Sequence, residues 1–131
     1  MPAIEPGFIE AMQEAARAVG ALVILDEVIS FRLGYGGGQQ VFGIEPDITA
    51  LAKIIGGGFP LAAICGNDEL MAHFDKGVVG DEGFLPQIGT LSGNPVAAVA
   101  GLKHTLGHDK RDHRHEAGKQ DGAGKLVQFE S

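Results

Sequence analysis

Ile48-Thr-Ala-Leu-Ala-Lys53-Ile-Ile-Gly56-Gly-Gly58-Phe-Pro60 sets one lysine at the end of an apolar run and follows it with a glycine triplet. A lysine so placed has two uses. It can lay its stem on apolar surface and hold its ammonium in water, or it can sit partly desolvated and act as a nucleophile toward a carbonyl. Gly56, Gly57 and Gly58 remove three side chains just after Lys53, and Pro60 constrains the exit, so the backbone there can turn sharply or press against a bound molecule. An ordinary loop between two strands is the other reading of the same residues.

Upstream stands a second anchor, Ala21-Leu-Val-Ile-Leu-Asp26-Glu27-Val28. Its apolar run, residues 21–25, predicts a strand buried on both faces, as in a parallel sheet. That strand ends in two acids. Ligands of open α/β sheets gather beyond the carboxyl ends of the strands, so Asp26, Glu27 and Lys53 all fall where a site would form. An acid and a lysine at neighbouring strand ends can be a structural ion pair. They can equally be the pair that pyridoxal phosphate chemistry requires, an amine for the Schiff base and a carboxylate that keeps the pyridine nitrogen protonated.

Several spaced motifs run in order with these anchors: Leu25-Asp-Glu-Val-Ile-Ser-Phe-Arg32, Tyr35-Gly-Gly-Gly-Gln-Gln, Phe42-Gly-Ile-Glu-Pro-Asp-Ile-Thr49, Lys53-Ile-Ile-Gly-Gly-Gly-Phe-Pro60 and Gly89-Thr-Leu-Ser-Gly-Asn-Pro95. Together they resemble the class III pyridoxal phosphate-dependent aminotransferases, within them most closely the glutamate-1-semialdehyde aminomutase type, over about residues 6–106. The resemblance implies an α/β fold, part of a fold type I (aspartate aminotransferase-like) large domain whose mostly parallel sheet is incomplete in this chain. It implies amino-group transfer between a small amino acid or amine and a keto acid, or within one molecule. Pyridoxal 5'-phosphate would be the cofactor, with Lys53 forming the Schiff base and moving protons. Asp26 would pair with the pyridine nitrogen, Val28 would pack on the ring, and Thr90 would donate to the phosphate, usually across a homodimer interface. Glu27 would support the site through hydrogen bonds. A cytoplasmic enzyme is expected.

Length and composition fit that reading. A chain of 131 residues can form one domain and would bury roughly two thirds of its unfolded surface. The net charge of −7 leaves no basic footprint for nucleic acid, and no basic helix suggests an anionic membrane surface. No apolar run reaches the length of a membrane span, and the N-terminus has no signal-peptide pattern. Cys65, the only cysteine, excludes a disulfide within the chain; its neighbours Leu61-Ala-Ala-Ile make it a packed thiol.

Taken in order, residues 6–19 predict a helix with Phe8, Met12, Ala15, Ala16 and Val19 on its apolar face. Residues 30–42 read as a loop, with Tyr35 among glycines. A dinucleotide fingerprint fails there, since Gln39 holds the position of the third glycine and no helix pattern follows. Leu61 to Cys65 supplies a strand, and Asn67 caps a short helix through Phe74. Residues 75–93 show no clear periodicity, and Asn94 with Pro95 opens an apolar helix. The expected organisation is a partial cofactor-binding large domain, 1–107, and an atypical, disordered tail, 108–131. His104, His108, His113 and His115 lack a zinc-type spacing with cysteine or carboxylate, so no metal is expected.

The family places a phosphate loop and a ring-stacking aromatic upstream of the aspartate motif, and a small domain after the region matched here. Neither has a counterpart in these residues, and only two residues separate Val28 from Phe31 where the family has three. The alternative expectation is thus a truncated, catalytically inactive piece of such an enzyme.

Overall fold

The computed structural model describes residues 5–112. Helix α1 (Phe8–Ala18) leads into β1 (Ile24–Asp26); a short 3-10 turn (Ser30–Leu33) and α2 (Gly37–Phe42) follow, then β2 (Ile48–Leu51). A second 3-10 turn, Lys53–Gly56, separates β2 from β3 (Ala63–Gly66). Beyond β3 the chain is helical in pieces: α3 (Asp68–Met71) running on into a turn at Ala72–Phe74, α4 (Lys76–Gly83) and α5 (Pro95–Asp112).

The three strands lie in the order β1-β2-β3. β1 and β2 are parallel, pairing Ile24 with Ile48, Leu25 with Thr49 and Asp26 with Ala50. β3 is antiparallel to β2, with Thr49 opposite Cys65 and Leu51 opposite Ala63. Alternation along a strand then puts Leu25, Thr49, Leu51 and Cys65 on one face and Asp26, Ala50 and Ile64 on the other. Thr49 and Leu51 are buried, so the first face is the inner one. Burial raises the pKa of the Cys65 thiol, which disfavours its thiolate. Cys65 is therefore expected to react with iodoacetamide several-fold more slowly in the native chain than in urea, as followed by mass spectrometry; equal rates would mean that this face is not packed.

Polar side chains tie the start of the sheet together. Asp47 accepts a hydrogen bond from the Val23 amide at 2.7 Å through Oδ2, while its own amide donates to the Val23 carbonyl. Buried Gln13 accepts from the Glu45 amide at 2.8 Å, which fixes α1 against the turn before β2. Asn67 caps α3 by accepting from the Leu70 amide at 2.9 Å, as its sequence position predicts.

Three sequence expectations differ from the structure. The inner side of α1 is Ile9 and Gln13, with Ala16 half-buried, whereas Phe8, Met12 and Val19 are exposed. β1 is not covered on both faces among the described residues: Ile24 keeps 65% of its accessible surface. Helices occupy parts of both segments read as irregular. α2 begins at Gly37 and Gly38, poor helix formers that a tertiary contact holds in place, and α4 hides its pattern because Gly80 breaks it at φ 73°, ψ −176°. The expected boundary at 107 falls within α5, and residues 113–131 of the expected tail lie outside the described residues.

Candidate functional site

The parallel pairing of β1 and β2 decides the geometry. Asp26 closes β1 in register with Ala50, and Lys53 begins the turn that leaves β2, so the two side chains stand at the carboxyl ends of adjacent parallel strands. Both are exposed. One Asp26 oxygen accepts from the Val28 amide at 2.9 Å, which holds the carboxylate at the strand end and draws the half-buried Val28 in behind it. Asp26 and Lys53 do not form an ion pair with each other; the salt bridges among the described residues are Arg17–Glu45 and Lys76–Asp81. The structural-pair reading of these two residues is therefore not what the chain adopts.

Lys53 departs from the usual backbone. It is the one non-glycine residue with positive φ among the described residues, at 50°. An L-residue costs of order 1 kcal/mol or more there, and such strain persists where the surroundings impose it, often at functional sites. Here the surroundings are visible. Gly56 lies so close to Leu61 that a Cβ added to it would stand 3.1 Å from the Leu61 Cβ, and Gly57 continues the turn at φ 58°. The glycine triplet thus shapes a tight turn directly after the lysine.

Beneath the acid of β1 lies another carboxylate. Glu27 is fully buried, and its two oxygens accept from Ser30 Oγ, the Gly38 amide at 2.9 Å and the Gln39 amide at 2.8 Å. These amides belong to the first turn of α2, so a negative group meets the positive end of the helix. Gly37 and Gly38 are needed for the approach: a Cβ would come within 2.5 Å of Glu27 Oε1 at the first and 2.9 Å of Oε2 at the second. Glu27 thus ties the end of β1 to the first turn of α2. Its partners could be found in the sequence only as an unexplained glycine pair. Tyr35, in the same loop, is 69% exposed, and Arg32 is exposed on the turn before it.

Thr90 sits in a turn in which the Ser92 amide donates to the Gly89 carbonyl. It is exposed, and no hydrogen bond joins it to Asp26 or Lys53. The turn delivers the chain to Asn94, whose Oδ1 caps α5 by accepting from the Val96 and Ala97 amides at 3.0 and 3.1 Å. The structure therefore brings Asp26, Val28 and Lys53 to one end of the sheet, and Thr90 lies in the turn that precedes the helix packed on the lysine turn.

This donor set is one amine, one carboxylate and one hydroxyl beside a capped helix start. Known proteins share the sequence and the fold. The profile described as Aminotransferase class-III matches residues 1–109. Glutamate-1-semialdehyde 2,1-aminomutase of Methylacidiphilum infernorum (isolate V4) is 50% identical over 99 residues, covering 75% of this chain and 22% of that enzyme. An omega-transaminase from Sphaerobacter thermophilus superposes with a TM-score of 0.71 at 48% identity, over 82% of this chain and 24% of that one. A transaminase with PLP bound superposes at 0.73 with 34% identity, over 87% of this chain and 26% of that one. The chain spans about a quarter of the length of these relatives.

Proposed function

Because this chain belongs to the class-III aminotransferase family, its profile matching residues 1–109, we propose that it carries the cofactor-holding part of a pyridoxal phosphate-dependent amino-group transfer, of the aminotransferase or glutamate-1-semialdehyde aminomutase type. The observation that carries the proposal is the placement of Asp26 and Lys53 at adjacent parallel strand ends without pairing to each other. An amine and a carboxylate neutralising one another would leave neither for a ligand.

The residues present suit pyridoxal phosphate. Lys53 Nζ is the amine that would hold the cofactor's aldehyde carbon, and the Asp26 carboxylate would accept from its ring nitrogen. Val28 supplies apolar surface beside the ring. Bound in this way, the cofactor supplies an electron-withdrawing ring that acidifies the C–H next to the substrate nitrogen. Lys53 Nζ, once released, is the base that takes that proton and returns it. Asp26 keeps the ring nitrogen protonated throughout, and the Val28 amide on its Oδ1 holds the carboxylate in place. Substrates of this chemistry are a small amino acid or amine and a keto acid.

Thr90 is assigned to the cofactor phosphate in the site of a second copy of the chain, a reading supported by its exposure on the turn before α5. Hydrogen bonds to charged groups are worth about 1.5–3 kcal/mol, so Thr90→Val is expected to weaken pyridoxal phosphate binding roughly tenfold or more while leaving pyridoxal binding unchanged. Equal losses for the two ligands would remove the phosphate from its role. The proposal as a whole is tested by borohydride reduction of the chain mixed with pyridoxal phosphate, followed by peptide mapping. Label confined to the peptide containing Lys53 supports it; label spread evenly over Lys76, Lys103 and Lys53 overturns it.

A further inference from the structure

Helix α5 meets the lysine turn at one point of very close approach. A Cβ built on Gly101 would stand 2.2 Å from Leu61 Cδ2 and 3.2 Å from the Ile55 carbonyl oxygen. Ile55 lies inside the turn Lys53–Gly56, two residues after the strained lysine. On the same side of α5, Ala97 is buried, and a Cβ on Gly57 would lie 3.8 Å from the Ala100 carbonyl oxygen and 3.7 Å from the His104 Cβ. Residues 97, 100, 101 and 104 therefore form one helical face laid along the turn, with glycine where backbone meets backbone. Glycine within a helix is otherwise unfavourable relative to alanine, so helix formation does not account for it.

We propose that Gly101 is a positioning residue: having no side chain, it lets α5 lie against the Ile55 carbonyl and so holds the turn that presents Lys53. The inference rests on the assignment of Lys53 as the cofactor-holding amine. α5 also begins beside the turn of Thr90, and the seven residue steps from Asn94 to Gly101 rise about 10 Å. The helix joins the turn of Thr90, assigned to a second copy's site, to the turn that presents Lys53. A methyl at 101 meets Leu61 first, and that side-chain tip can swing away; the Ile55 carbonyl is backbone and can give only by shifting the turn.

The test compares Gly101→Ala, Gly101→Val and the double variant Gly101→Ala with Leu61→Ala. Two properties of the chain with pyridoxal phosphate are read, its dissociation constant and the pH midpoint of its red-shifted band. A third readout needs no cofactor: amide exchange at Gly57, whose N–H donates to the Ile54 carbonyl at 3.2 Å. Since a displacement of 1 Å can cost about a hundredfold in a positioned reaction, Gly101→Val, shifting the turn by less, is expected to weaken binding about tenfold, move the pH midpoint and speed Gly57 exchange. Gly101→Ala should do so to a smaller degree, and the double variant should retain most of that loss, because the contact with the Ile55 carbonyl remains when the Leu61 side chain is removed. A role confined to helix packing predicts the reverse order, because alanine improves α5 and leaves the lysine untouched.

If Gly101→Val folds with wild-type circular dichroism and all three readouts are unchanged, the proposal is overturned. If Gly101→Val does not fold, the decision passes to the alanine variant and its Leu61→Ala partner, where unchanged readouts overturn it equally. If the wild-type chain gives no adduct at Lys53, the cofactor assignment fails; Gly57 exchange that still responds to residue 101 would then retain the positioning of the turn, and exchange that does not respond would sink that too.

Discussion

Mixed with pyridoxal phosphate, the Lys53→Ala chain is expected to lose the red-shifted absorbance completely, with nothing fixed by borohydride. The other lysines described with their surroundings do not stand at the strand ends: Lys76 pairs with Asp81 on α4, and Lys103 is exposed on α5. Among the residues so described, no second amine is placed to substitute. The backbone supplies a second, independent expectation. At φ 50° alanine is strained as lysine is, whereas glycine is not. Lys53→Gly should therefore be more stable than Lys53→Ala by about 1 kcal/mol, and more stable than the wild type by a similar margin, while being equally inert toward the cofactor. A chain that gains stability on losing its amine has carried strain for the sake of the amine. Identical spectra for wild type and Lys53→Ala would instead leave the family assignment standing and show that this chain, by itself, does not form the cofactor site.

Replacing Glu27 is the change expected to cost most in stability. Its buried carboxylate satisfies Ser30 Oγ and two amides of α2, in a space that Gly37 and Gly38 keep open. Glu27→Ala leaves those three donors facing an apolar hole. Removing one partner of a buried charged network costs about 3–5 kcal/mol, a large part of the stability of a typical domain. Glu27→Gln keeps the volume but turns one acceptor into a donor that faces donors, and should cost about 1–3 kcal/mol. Urea denaturation reads both losses, alanine larger than glutamine. Asp26 belongs to the same strand end, so cofactor affinity is expected to fall in both variants in the same order. A Glu27→Ala chain with an unchanged urea midpoint would show that the loop is not held through this carboxylate.

These two residues also show how far the sequence could be read. Lys53 and Asp26 were visible at once, because each ends an apolar run and the structure sets both runs side by side in one sheet. The caps at Asn67 and Asn94 were visible for the same reason: a cap acts on amides two or three residues away. Glu27 could be named as a supporting group, yet the two amides it accepts from are eleven and twelve residues distant. They lie in a segment whose glycines read as a loop. The glycines are there to let the carboxylate in, and the carboxylate then makes the helix. In α1 the apolar spacing predicted a helix correctly and its inner face wrongly, since Phe8, Met12 and Val19 face outward and Gln13 faces in. An apolar stripe says that a face can be covered; which face is covered depends on what is placed against it.

By itself, then, the sequence determined the family, the order of the motifs, the starts of the capped helices and the lysine and aspartate proposed as the amine and the acid. All of these rest on residue types and on interactions that span a turn of helix or a few residues of strand. The tertiary structure alone decided the register that pairs Asp26 with Ala50, the positive φ of Lys53, the burial of Glu27 under α2 and the contact of Gly101 with the lysine turn. Each of those joins residues far apart in the chain or is imposed by neighbours that are, and a local pattern carries no information about the distance between two segments until the sheet and the helices have packed.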